Sequence, residues 1–298
     1  MRRWNESAVR RLEPERARSK RVKSAVRTHR NAQSVLVVLL VSLCAVFATS
    51  AADTRREQLG KIVVQIQRAD YEGDRPALKR LYADLAPFVG DKELASRVLY
   101  WRGFALWRRS INGFNDSVDP KELEQDLMQA VDEFKKANAI DPAFVDAKLG
   151  TVSCLGFVMF LNQTNQPRVQ ELYAQSSPLL KEVRAAAPDN PRMLWVLGPI
   201  LWRVPAERGG GQDKAIEAYE KGLGLARAQK SQASDSLEPS WGEPELLMSL
   251  AWSNLNRTNP DLDAAEKEAR AALDLVPYWH YVRDILMQQI RDAKAKKG

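Results

Sequence analysis

Few side chains in this 298-residue sequence are of a type that does chemistry, and their spacing argues against most reactions. There are two histidines. His29 falls in a basic N-terminal stretch, which leaves His280 alone in the body of the chain. A lone imidazole cannot hold a metal without Cys, Asp or Glu at ligand spacing, and none surrounds it. Tyr278-Trp279-His280-Tyr281 reads instead as an aromatic packing corner. No Ser/His/Asp or Cys/His set can be assembled for nucleophilic catalysis. Of the two cysteines, Cys44 lies in an apolar N-terminal run and Cys154 in an expected helix, so Cys154 is read as a buried thiol. Arg208-Gly209-Gly210-Gly211-Gln212-Asp213-Lys214 invites a phosphate-loop reading, because Gly-rich amides before a helix can hold anions. Its spacing is wrong for a nucleotide loop, no strand precedes it, and Ala215 stands where a hydroxyl belongs. Acidic pairs such as Asp132-Glu133 and Glu266/Glu268 are expected to be solvated helix faces. The Asn-x-Ser/Thr sequons at Asn5, Asn115, Asn162 and Asn256 matter only in a eukaryotic secretory pathway. The eight tryptophans are the unusual feature, and they call for a scaffold that either buries or presents them.

The elements that would position them are helices. Leu247, Leu250, Ala251 and Leu255 repeat at three- and four-residue steps. Asn256 to Pro260 breaks the pattern, and Ala265, Ala269, Ala272 and Leu273 mark a second face that Pro277 closes. Upstream the pattern returns. Helical faces are expected around Leu59–Ile66 and Ala77–Leu85, around Leu99–Trp107 and Leu127–Ala137, from Phe144 to Leu161 and Val169 to Ala187, and from Pro191 and Ala215 onward. Pro199 predicts a kink inside its helix. Residues 231–244 are rich in Ser, Glu and Pro and are expected to be irregular. A last helix from Trp279 to Lys296 has the polar end of a cap. No stretch alternates as a strand does.

Charge separates the ends of the chain. Residues 1–30 hold eleven Lys or Arg and three acidic residues, a balance of +8 against +7 for the whole chain. The basic character therefore belongs to the tail, and no nucleic-acid partner is expected. Residues 1–34 are read as a basic N-terminal tail, 35–52 as a signal peptide or signal anchor, and 53–298 as a helical repeat domain. The run VLVVLLVSLCAVFA with small residues after it fits cleavage after Ser50 or Ala52. The uncharged stretch from Asn31 to Ala52 is also long enough for an uncleaved span, which needs about 20 residues. Either way the repeat domain is expected outside the cytoplasm, periplasmic or secreted, or tethered to the membrane through the N-terminal segment.

These residues resemble the tetratricopeptide repeat family, whose unit is two antiparallel helices with a small-residue signature. The match lies in Ala130, Phe134, Ala137 and Asp141-Pro142, and at the same spacing in Ala265, Ala269, Ala272 and Pro277. Ala215, Tyr219 and Gly222 follow without the Pro, and Leu197-Gly198 and Leu250-Ala251 supply the first-helix pair. The marks recur at wider steps than the family's, so enlarged loops are expected. The resemblance implies an all-α, right-handed superhelical solenoid of about five helical hairpins with a C-terminal capping helix. The order of export segment, degenerate repeats and a Gly-Gly loop is also similar to extracytoplasmic accessory components of TRAP-type solute transporters. In such arrays the first helix of each pair lines a concave face, which here assigns Tyr100, Trp107 and Arg108, then Trp195, Trp202 and Arg203, then Trp252 to a binding groove. Phe104, Arg192, Pro199, Met248 and Leu255 share those positions. Aromatics beside Arg suit a ligand with an apolar body and an anionic or π-rich group. The function expected is non-catalytic binding of a protein or peptide, the alternative a small solute for a transporter. No cofactor is expected. If Trp195 and Trp202 are enclosed with no cleft beside Arg203, the groove reading fails.

Overall fold

A computed structural model describes residues 54–229 and 235–297. The chain divides after Glu57, and the fold described below is that of the compact unit Gln58–Gly298. The expected signal or anchor segment, 35–52, and the basic tail lie outside the described residues. No helix among the described residues is long and apolar enough to cross a membrane.

The unit is all-helical. Its helices are α1 (residues 58–72 of this unit), α2 (Arg75–Asp84), α3 (Ala95–Gly113), α4 (Pro120–Ile140), α5 (Val145–Leu161) and α6 (Gln166–Ala186). They continue with α7 (Pro191–Arg203), α8 (Gln212–Gln229), α9 (Glu243–Asn256), α10 (Leu262–Leu275) and α11 (Met287–Lys297), the last entered through a π-helical turn at Tyr281–Leu286. They pair as five hairpins and a cap, as the periodicity predicts. Polar caps start them: Asp119, Asn165, Asn190 and Asp261 each accept from a backbone N–H of the first turn, and Pro120 and Pro191 occupy first-turn positions where no N–H is needed.

Small residues set the approach of one helix to another. The Phe134 ring lies between α3 and α5, and a Cβ added at Gly103 or Gly150 would come within 2.9 or 2.5 Å of it. A Cβ at Gly198 would come within 2.1 Å of the Tyr219 ring, so α7 meets α8 only because that position has no side chain. Second helices stack on the following first helix at α2/α3, α4/α5, α8/α9 and α10/α11. Between the third and fourth hairpins the packing runs instead through the two first helices, α5 on α7. The helices on either side of this joint each carry an internal proline, Pro178 in α6 and Pro199 in α7, and α7 stays helical through Pro199 to Arg203.

The array curls until its first hairpin reaches its last. Tyr71, at the end of α1, packs edge-on against Trp279 at 5.0 Å and Tyr278 at 6.4 Å. Its hydroxyl donates to Glu245 of α9 at 2.8 Å, across 174 residues of sequence. The aromatic corner expected at 278–281 is thus the point of closure.

Candidate functional site

The first helices of successive hairpins touch one another, α3 on α5, α5 on α7 and α7 on α9, but the open groove expected along them is half filled. Residues 235–242, the end of the irregular linker, lie across it without helix or strand. Leu237 and Trp241 are buried. The Trp241 ring sits edge-on or tilted among Phe104, Trp107 and Trp195, at centroid distances of 5.9, 5.6 and 5.4 Å. Its indole N–H donates to the Tyr100 hydroxyl at 2.8 Å. Trp101 donates to the carbonyl of Leu237 at 2.8 Å, and Arg97 pairs with Glu238 at 2.7 Å.

Four of the predicted site residues are therefore corrected from groove lining to core. Tyr100 and Trp107 are 0 % exposed, Arg108 3 % and Trp195 8 %. Arg108 faces inward onto charge. Its Nε donates to Asp70 at 2.6 Å and its Nη2 lies 4.0 Å from Glu245. Burial works against this guanidinium, and the two carboxylates outweigh it, holding its pKa above the ordinary value. Asn112 donates to the carbonyl and carboxylate of Asp70, and Glu245 accepts from the Tyr71 hydroxyl and the amide of Gly242. This buried network ties α1, α3 and α9 together. Only Arg108 of its members was singled out from sequence. Asp70, Tyr71 and Glu245 carried no motif, because their meeting is set by how far the array curls.

The other three residues stay at the surface. Trp252 is 37 % exposed, Trp202 is half-buried against it at 5.2 Å, and Arg203 is exposed. Trp195 and Trp202 are seven residues apart on one face of α7. The linker thus covers the N-terminal half of the concave face and leaves the C-terminal half open. The open half continues onto α5 and α3. Arg203 lies over the ring of Phe160 at 4.9 Å, and Phe114 packs against Phe157 and Phe160 at 5.6 and 6.0 Å. Phe160 and Ile200 are exposed as well. The sequence reading missed Phe114, Phe157 and Phe160. The signal was there in their positions at first-helix C-termini, the register of Trp202. No ion pair involves Arg203 among the described residues, so its cation faces outward over an aromatic shelf.

The remaining candidates resolve simply. His280 pairs with Asp284, Nδ1 to Oδ2 at 2.8 Å, at the closure corner. Amides of the Gly209–Gly211 loop donate to carbonyls of the preceding turn, Gly209 to Ala206, Gly210 to Pro205 and Gly211 to Leu201, so they are not presented to an anion. Cys154 is buried, and burial pushes its thiol pKa well up. Among the described residues no cluster of His, Cys, Asp and Glu has the makings of a metal site.

These features define a curled array of helical hairpins whose concave face is part core and part open aromatic shelf. No protein-family model matches the sequence, and no curated protein matches it. Among solved structures the HusA haemophore from Porphyromonas gingivalis is similar, with a TM-score of 0.52 and 20 % identity, over 69 % of this chain and 96 % of that one. At that identity the likeness is one of fold.

Proposed function

We propose that this chain is a non-catalytic, exported binding protein of the tetratricopeptide class, and that a protein or peptide segment docks on the open half of its concave face. The observation that carries this reading is the shelf of Trp202, Trp252 and Phe160 with Arg203 upon it, exposed and without an ion pair among the described residues. Exposed aromatics are enriched in recognition surfaces because each presents a large rigid area at little entropic cost. A guanidinium stacked on a ring keeps its in-plane donors free for a carboxylate. An open shelf fits a segment of chain better than a small solute, which wants an enclosed pocket of roughly 300–1,000 Å³. The hollows of about 260 and 270 Å³ at Lys294 and at Arg68–Arg80 are lined largely by charged side chains and lie on other elements.

A second reading is favoured by the similarity to a haemophore: a flat, π-rich ligand carrying carboxylates, stacked on the same shelf beside Arg203. One experiment separates the two. A photo-crosslinking amino acid is placed at position 252 of the full chain in the producing cells, with position 64 as control. A single protein adduct at 252, missing at 64, is expected. Equal labelling at both positions, or none at 252, overturns the protein reading. If titration with haemin instead quenches the fluorescence of Trp202 and Trp252, and R203A weakens that quenching, the second reading takes its place.

A further inference from the structure

The segment that fills the inner half of the groove is held as a bound peptide is held. It has no helix or strand of its own, and no backbone–backbone hydrogen bond joins residues 236–241 to the helices beneath. Side chains of the wall grip it instead. Trp101 takes the Leu237 carbonyl at 2.8 Å, Arg192 reaches the Trp241 carbonyl at 3.4 Å, and Arg97 takes the Glu238 carboxylate at 2.7 Å. The indole of Trp241 enters a box of Phe104, Trp107 and Trp195 and donates to Tyr100 at 2.8 Å. The segment's own amides bond locally, Leu237 and Glu238 to Asp235 and Gly242 to Glu245. One donor of the box is left over: Nε1 of Trp107, in a fully buried ring, has no hydrogen-bond partner among the described residues. A buried donor without an acceptor is unfavourable, so the box offers one more contact than this segment uses.

We propose that residues 235–242 are a displaceable strap. On the reading that a segment docks on the open shelf, the strap regulates the same face. The shelf is filled first, and the strap then yields the inner half to a partner segment of its own chemistry, with an apolar, an acidic and an aromatic side chain in the order of Leu237, Glu238 and Trp241. The sequence of events follows from tethering. A strap joined to the chain at both ends has an effective local concentration on the order of mM, so a free partner peptide displaces it only when already anchored nearby. Trp252 and Trp202 supply that anchor on the adjoining half of the face.

The test needs no partner. In the full chain, solvent exchange of the indole N–H protons of Trp101 and Trp241 is followed by NMR beside the backbone amides in the middle of α3. A strap that lifts as a unit gives indole exchange roughly 100-fold faster than those amides, since local opening costs less than global unfolding. Exchange at the same rate makes the segment permanent core and overturns the proposal. A labelled synthetic peptide of residues 236–243 is then added to the full-length W241A variant. Binding about tenfold tighter than to the unsubstituted chain is expected, because the tethered competitor has lost its anchor. No gain in a folded W241A overturns the proposal. Should W241A fail to fold, E238A removes only the half-exposed pair with Arg97 and is expected to speed the Trp101 indole exchange about tenfold; an unchanged rate counts against the strap. The docking reading rests on labelling at position 252, which neither variant touches, so either idea can fail alone.

Discussion

Trp195 and Trp202 belong to the same helix and the same face, yet one lies under Trp241 and the other looks out over Trp252. Arg108 and Arg203 make the same contrast in charge. The first is enclosed with Asp70 and Glu245, and the second lies over Phe160 without an ion pair among the described residues. The two halves of the concave face are built from similar residue types, aromatics with Arg at helical spacing. What separates them is a segment from elsewhere in the chain. Burial on this face is decided by the path of residues 235–242, and chemistry at a given position changes with it from ligand contact to core.

The comparison can be broken most sharply at the arginines. R108A leaves Asp70 buried without its partner, and a loss of about 3–5 kcal/mol is expected in urea unfolding. R203A, on the open half, is expected to change stability by less than about 0.5 kcal/mol. Equal losses would erase the distinction between the halves. A smaller effect tests the hairpin that carries both tryptophans. G198A drives a methyl group into the Tyr219 ring and is expected to cost about 1–3 kcal/mol through overpacking, read by thermal melting. A cost near zero would mean that α7 and α8 are not packed as described.

Acid–base behaviour sharpens the same contrast. Burial raises the pKa of Glu245 above its ordinary value of 4.5, against the opposing pull of Arg108 and the Tyr71 hydroxyl. A raised folded pKa means that the native state holds the proton more tightly than the unfolded chain. The contribution of this group to stability is therefore fully present below 4.5 and is lost as pH rises through the folded pKa. E245Q removes the titration. Its melting temperature relative to the unsubstituted protein is expected to move upward as pH rises from 4.5. A pH-independent difference would place the cost elsewhere. At Trp202, also on the open half, the effect on stability is again small. W202A changes stability by about 1 kcal/mol or less but abolishes crosslinking from position 252; a large loss of stability with crosslinking intact would make the shelf core and not surface.

Most of the fold is legible in the sequence. Ala130, Phe134 and Ala137 with Gly103 announce a close helix pair, and Asp141-Pro142 and Asn190-Pro191 mark where helices stop and start, because these signals act within a few residues. The filling of the groove was not legible. Leu237 and Trp241 stand four apart in a polar, Pro-containing stretch, which reads as exposed linker, and nothing local says that the stretch crosses to α3 and α7. The same holds for Asp70, Tyr71 and Glu245. Their partners lie tens to hundreds of residues away, and only the accumulated rotation of five hairpins brings them together. What the sequence does carry is exposure at Trp202, Arg203 and Trp252, because there the position within a single hairpin decides it.

Closure of the array between Tyr71 and Glu245 also changes how the molecule comes apart. An open stack of hairpins can fray from either end, each unit melting against its neighbour alone. Here the first hairpin is latched to the fifth by a buried bond spanning 174 residues, with Arg108 and Asp70 of the second and first hairpins beside it. Neither the first nor the fifth hairpin is then free to fray alone, and unfolding of the array is expected as a single cooperative event. The cost falls on the way in. The first hairpin cannot reach its final burial until α9 and the 278–281 corner exist, so this closure is expected to form late, after the contacts between neighbouring helices.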